Sequence, residues 1–253
     1  MKFTYEDLIS GEPIFVEGIG HFRSPLLSEI KPNSGIGMWE YNLYLNILSW
    51  EKDTLVKIMG VRSSSLLSKI QDNDKISCFD AITLNKQLKE LLLKAMTFFI
   101  QETITWDEKS HGFITKKDGE ETITGYINRD NFEDVKDMIL QLNYIGLGKS
   151  SKPTGFASEK ARKLWERAQK YLREDAKRTP QDKKMSLGNI ISKLSVASNS
   201  YNLFNIYNLT IFQLYDQFFQ YGYLRATELN ERAYSIHGGK GFDMQGWLKP
   251  ISK

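Results

Sequence analysis

Residues 113–143 read FITKKDGEETITGYINRDNFEDVKDMILQLN, and two periodicities meet in them. Phe113-Ile114-Thr115 and the pair Thr122-Ile123-Thr124 and Tyr126-Ile127 are rich in β-branched and aromatic residues, with Lys117-Asp118-Gly119 between them. Asp-Gly between such runs signals a β-hairpin, because glycine accepts the positive φ of a tight turn. After Asp130 the spacing changes to that of a helix. Phe132, Val135, Ile139 and Leu142 share one face, and Asp130 with Glu133 three positions on is an Asx version of the capping box. The helix should end near Asn143 or Gly146. A hairpin that runs into an amphipathic helix predicts an α+β fold.

Upstream the pattern is mostly helical. Leu84, Leu88, Leu91, Ala95 and Phe99 repeat at helical spacing, flanked by Leu92, Met96 and Ile100, which predicts a central core helix capped by Thr83. Trp39, Leu43, Ile47 and Trp50 share a face of an earlier helix, broadened by Tyr41, Tyr44, Leu45 and Leu48. A short helix over Lys52–Met59 should stop at Gly60, and residues 61–76 read as a connector. Nearer the N-terminus, Ile14, Val16, Ile19 and Phe22 alternate around Gly18 and Gly20, the pattern of a first small hairpin.

Downstream, GLGKSSKPTG at 146–155 has linker composition. Ser158 should cap a charged helix with Ala161, Leu164, Trp165, Ala168 and Leu172 inward, broken at Pro180. Ser186 caps another, with Leu187, Ile190, Ile191 and Leu194 inward. A Ser/Asn-rich turn at 198–202 then precedes an aromatic helix over 209–221, and the tail from His237 reads as irregular. The expected organisation is therefore α+β and mainly helical: an N-terminal domain over 1–145, a basic linker over 146–157, and an all-helical C-terminal domain over 158–253.

Charge is distributed unevenly. The chain of 253 residues carries a net charge of +3, yet twelve Lys/Arg against five Asp/Glu fall between Lys149 and Lys184. Lys160, Lys163, Arg167, Lys170 and Arg173 form a candidate basic patch on helix 158–178. It fits contact with phosphates or an acidic protein. It fits equally well the solvated face of an exposed helix, whose Glu159, Glu166, Glu174 and Asp175 are spaced to pair with its cations. A basic helix ahead of SLGNIISKLSVASNS suggests a helix-turn-helix reader, but the second helix carries only Lys193 and no arginine to read bases.

The search for reactive chemistry yields no constellation. GLGKS lacks the first glycine of a phosphate-binding loop, since that position is Asn143, and it follows a helix where a strand is required. His21, His111 and His237 stand apart with no partner at ligand spacing. Cys78, the single cysteine, reads as a small buried hydrophobe. No catalytic residues, metal ligands or cofactor are expected, and the reading is of a protein that is not an enzyme. The N-terminus MKFTYEDLIS has no apolar leader, and no long apolar run suggests a membrane span, so the cytoplasm is the expected location.

What stands out is aromatic. Nine of the 31 Phe, Tyr and Trp residues lie in Tyr201–Tyr223, YNLFNIYNLTIFQLYDQFFQYGY, and Asp216 is the only charge between Lys193 and Arg225. Such apolar area must be covered by the protein's own core or by a partner. One stripe is supplied by Ile211, Leu214, Tyr215 and Phe218. Phe212, Phe219 and Tyr221 point to other faces, with Phe204 and Tyr207 just ahead. The expected partner-binding set is Phe204, Tyr207, Phe212, Tyr215, Phe219 and Tyr221; filling the chain's own core is the other reading.

Three stretches together carry a likeness: DLISGEPIFVEGIGHFRSPLLSEI, INRDNFEDVKDMILQLNYI, and SLGNIISKLSVASNSYNLFNIYNLTIFQLYDQF with the tail Trp247-Leu248-Lys249-Pro250-Ile251. They resemble proteins of the tail-morphogenesis modules of phages and prophages of Gram-positive bacteria. These are likened to tail assembly chaperones and to the baseplate-hub assembly chaperones of T-even phages. The resemblance touches about half of the chain and implies an assembly factor that binds a tape-measure or hub protein. A tail or baseplate protein of the finished virion, or a nucleic-acid-binding protein using helix 158–178, are the alternatives.

Overall fold

The computed structural model describes residues 3–33, 35–50, 55, 76–117, 119, 122–145 and 186–237. The expected short helix over Lys52–Met59, the linker, the basic helix with its patch and the C-terminal tail lie outside these residues. Two units are distinguished. The first comprises Met1–Gly146 with Tyr207–Asp216, and the second Leu147–Ile206 with Gln217–Lys253.

The fold is α+β and mainly helical. In the first unit, α1 (Tyr5–Ser10) precedes the hairpin β1 (Ile14–Val16) and β2 (Gly20–Phe22). Then come α2 (Leu27–Ile30), α3 (Gly37–Ser49), α4 (Cys78–Thr83) and α5 (Lys86–Phe99). An antiparallel sheet β3 (Thr103–Asp107), β4 (Gly112–Lys116) and β5 (Ile123–Ile127) follows in that spatial order, and α6 (Phe132–Leu142) leaves it. The second unit contains α7 (Leu187–Ala197), and α8 (Ile211–His237) starts in the first unit and continues into the second.

The core of the first unit forms where α3 packs against α5 and α6. Leu92, Ala95, Met96, Phe99 and Ile100 are buried, as the expected central helix requires. Its cap differs from the expectation. Thr83 ends α4 by donating its hydroxyl to the Phe79 carbonyl at 2.9 Å, and Asn85 caps α5 by accepting the N–H groups of Gln87 and Leu88 at 3.0 and 3.2 Å. Its amide oxygen reaches both orphan donors of the first turn. Leu84 lies ahead of the helix and is exposed.

On α3 the buried face is centred on Tyr41, Tyr44, Leu45, Ile47 and Leu48, and Trp39 stands 78% exposed. The apolar residues nearly encircle this helix, so spacing alone did not mark which side turns inward. On α6, Phe132, Val135, Ile139 and Leu142 are buried as expected. Asp130 does not cap it; the cap position is Asn131, whose amide nitrogen donates to the Tyr126 carbonyl at 2.7 Å and whose Oδ1 accepts from Asn128 N–H at 2.9 Å. The side chain thus ties the helix start back to β5. Cys78 opens α4 half-buried, its Sγ donating to the Trp50 carbonyl at 3.3 Å.

Strand β3 adds a third member to the expected hairpin, paired from Thr103–Lys116 to Asp107–Gly112. Phe79, Trp106, Phe113 and Phe132 stack on this sheet, with Trp106 and Phe113 at 4.9 Å and Phe79 and Phe132 at 5.2 Å between ring centroids. Hairpin β1–β2 docks on the sheet by its backbone. Tyr126 N–H donates to the Gly18 carbonyl at 2.9 Å, and the buried Thr115 hydroxyl donates to the Ile19 carbonyl at 2.6 Å. Gly125 permits this approach, since a Cβ there would lie 2.0 Å from the Gly18 oxygen.

Residues 207–216 complete the first unit. Leu27 N–H donates to the Leu209 carbonyl and Ile211 N–H to the Pro25 carbonyl, both at 2.9 Å. Thr210 and Gln213 exchange side-chain and backbone hydrogen bonds at 3.0 and 3.2 Å, a capping box for α8. The helix runs 27 residues and not the expected thirteen.

Candidate partner-binding surface

The second unit presents apolar surface on a loop whose shape is set by its own side chains. Ser198 ends α7, and its Oγ accepts the N–H groups of Ser200 and Tyr201 at 3.1 and 3.3 Å. Asn202 and Asn205 then hold each other. Asn205 Oδ1 accepts from Asn202 N–H at 2.8 Å, while Asn202 Oδ1 accepts from the N–H groups of Phe204 and Asn205 at 2.9 and 3.2 Å. Asn205 Nδ2 donates to the Ser200 carbonyl at 2.9 Å. Short polar side chains that mimic backbone turns explain why the Ser/Asn run folds this way. Ile206, fully buried, anchors the far end.

At the tip of this turn Phe204 is 96% exposed and Leu203 61% exposed. Val196, on the last turn of α7, is also exposed. Within the same unit, Leu194, Ser198, Gln217, Gln220, Tyr221 and Leu224 line a groove of about 300 Å³ between α7 and α8. Further along α8, Leu229, Tyr234 and Ile236 are exposed. Arg225 pairs with Glu228 at 2.7 Å on its outer surface. The groove is apolar with amide groups at its edge and no charged residue in its lining, so it can take an aliphatic or aromatic side chain.

The six residues expected to bind a partner separate. Phe204 is the solvent-facing tip. Phe219 and Tyr221 are half-buried in the second unit; Phe219 meets Phe218 edge-on at 5.8 Å and Tyr221 lines the groove. Tyr207, Phe212 and Tyr215 belong to the first unit. Tyr207 lies under the Lys31 ammonium, 4.2 Å from ring centre to Nζ. Tyr215 stacks on Tyr144 at 5.7 Å, and burial holds its hydroxyl above the usual tyrosine pKa. Phe212 corrects the expectation that it faces away from the core. It is 1% exposed, packed against Tyr5 and Tyr144 at 6.5 and 5.1 Å. The first turn of α8 is enclosed by α1 and the segment after α6, so a ring off the main stripe still finds core.

Leu203 and Val196 were not singled out from the sequence. The signal for Leu203 lay beside it, in asparagines placed to force a turn. The basic patch, Lys160, Lys163, Arg167, Lys170 and Arg173, lies outside the described residues. Among the described residues no three of His, Cys, Asp and Glu come together as a metal site. No helix among them is long and apolar enough to cross a membrane.

Residues 177–252 match the family model of the YomV second domain, a phage-type domain named for a prophage protein. The match covers less than a third of the chain, and it includes α7, the Leu203–Phe204 turn and all of α8. No curated protein and no solved structure matches the chain.

Proposed function

We propose that this is a phage assembly factor that grips another tail protein, a tape-measure or hub component, through the second unit. The observation that carries the reading is Phe204: a nearly bare ring at the tip of a turn whose backbone is held by Ser198, Asn202 and Asn205. Large apolar side chains left in water are costly, and those held in a defined geometry pre-order a contact that would otherwise lose entropy on binding. Aromatic anchors entering a partner's pocket dominate such interfaces. Phe204 and Leu203 would supply the anchor, and the adjoining groove of Leu194, Tyr221 and Leu224 would receive an apolar side chain in return. The likeness of this same stretch to a phage-type domain supports the setting.

The test is co-expression with the tape-measure and hub proteins of one tail module, followed by purification through a tag on this chain. Wild type should retain one of them and Phe204→Ser should release it, with unchanged circular dichroism. Equal retention by the folded variant would move the site elsewhere. Purified particles should lack the protein, because an assembly factor leaves; its recovery in the virion would favour a structural role.

A further inference from the structure

The second half of α8, from Gly222 to His237, has little of its surface covered. Leu229 and Ile236, one heptad apart, are 58% and 75% exposed. Ala226 and Ala233, also exposed, fall into line with them at three- and four-residue spacing. Residues so spaced share one side of a helix. Two large side chains are too few to mark a core-facing helix, yet they form a narrow apolar line. Gly222 prolongs it as a notch, since a Cβ there would meet nothing within 4 Å. At 3.6 residues per turn the line lies roughly 150° around the helix from Gln217, Gln220, Tyr221 and Leu224, which border the groove beside α7. Neither a short helix nor an interior glycine holds well in water without packing, and the exposed Arg225–Glu228 pair is a small support.

The chain continues with a sequence suited to that line. Gly238-Gly239 follows the last residue of α8, and glycine is the residue that lets a chain turn back at a helix C-terminus. Beyond it, FDMQGWLK puts Phe242, Met244 and Leu248 at even positions, and Asp243, Gln245 and Lys249 at odd ones. Such alternation belongs to an extended segment with one covered side and one wet side, and Gly246 and Pro250 disfavour a helix. The lengths agree. Phe242 to Leu248 spans about 20 Å when extended, and Gly222 to Ile236 about 21 Å along the helix axis. The stretch matched by the phage-type family model, 177–252, holds α8 and this segment together.

We propose that the segment Phe242–Leu248 lies back along α8 and covers the line of Gly222, Ala226, Leu229, Ala233 and Ile236. Counted from the turn at Gly238-Gly239, Phe242 comes level with Ala233, Met244 with Leu229, and Leu248 with Gly222. A tether of two glycines holds the segment at a local concentration that a separate chain of the same chemistry does not reach. The occupant is therefore the chain's own tail and not a second copy. The groove beside α7 stays open under this arrangement, and the inference does not rest on the partner-binding reading.

The experiment is disulfide trapping in the full chain with Cys78→Ser as background. Leu229→Cys with Met244→Cys should close a bond within one molecule under mild oxidation, seen as a faster band in a non-reducing gel. Glu231→Cys with Met244→Cys is the control, because position 231 lies on the opposite side of the helix; it should close at least about tenfold more slowly. Bonds between two molecules would assign the line to a second copy, and equal closure in the control or no closure in either pair would leave the tail without a seat; each overturns the proposal. Hydrogen exchange supplies a reading that needs no cysteine. In Phe242→Asp, Leu248→Asp, amides of α8 from Ala226 to Ile236 should exchange about tenfold faster than in wild type, with those of α5 unchanged. Equal exchange in the two proteins would overturn the proposal as well.

Discussion

At the scale of single residues, Phe204 and Phe212 make opposite predictions from the same side chain. Phe212→Ala removes a ring packed on Tyr5 and Tyr144 and should cost about 3–5 kcal/mol in denaturant unfolding, as ring deletions in cores do. Phe204→Ala removes a ring already in water, and its midpoint should stay within about 0.5 kcal/mol of wild type. A large loss from Phe204→Ala would show that the ring is covered. Tyr41 gives a pH prediction. Burial, with Tyr215 nearby, holds its hydroxyl well above the ordinary value, and it donates to Asn143 Oδ1 at 2.8 Å. In the unfolded chain the phenol ionises near its usual value of about 10. The stabilisation from Tyr41 is therefore complete below that pH and is lost as pH rises above it, because only the unfolded state releases the proton. Tyr41→Phe should lower stability at neutral pH, leaving buried Asn143 Oδ1 short of a donor, and should flatten the alkaline fall. Unfolding midpoints from pH 7 upward measure both.

At the scale of elements, Gly125 on β5 is the sharpest test of the docking between hairpin and sheet. Gly125→Ala drives a methyl group into the Gly18 carbonyl, and backbone on both sides leaves no soft neighbour to yield. The variant should unfold at markedly lower denaturant, and amides of β1 and β2 should exchange faster while those within α5 are less affected. Elements are also where sequence reading succeeded unevenly. The hairpin at 113–127 and the inward face of α6 were legible because one side of each is covered and the other wet. Strand β3 was missed: of its first three residues only Ile104 is buried, so its alternation is too brief to register. The second half of α8 was missed for the converse reason. From Gly222 onward almost every side chain is exposed, so no apolar stripe marks the helix, and local pairs such as Arg225–Glu228 leave little trace in hydropathy. The turn at 198–202 was visible, but that it lifts Leu203 and Phe204 into water depends on hydrogen bonds among asparagines. The His21–Glu102 pair joins residues 81 apart, and no local pattern announces such a meeting.

At the scale of the whole molecule, the two units make the stretch between residues 146 and 155 the expected site of limited proteolysis. Because residues 207–216 complete the first unit, a cut there should yield two bands in denaturing gels that elute together in native gel filtration. Separate elution would show that the contacts of Leu27, Ile211 and Phe212 do not hold the pieces. Partner binding also has a whole-molecule signature. Attachment through Phe204 should change little between about 0.05 and 0.5 M salt, since apolar burial is not screened. A steep loss with salt would point to phosphate contacts by the basic segment.

The hydrogen bonds from Leu27 to Leu209 and from Ile211 to Pro25 impose a schedule on synthesis. The first thirty residues leave the ribosome long before their partners exist, and N-terminal hairpin and sheet alone cannot cover the ground that Phe212 will occupy. A nascent chain must therefore wait, with Tyr144 lacking the rings of Phe212 and Tyr215 that pack on it, until residues 207–216 have been translated. Long-range closure of this kind is slow and exposes apolar surface meanwhile. Premature termination anywhere before residue 207 should thus release not a working N-terminal fragment but an aggregation-prone one.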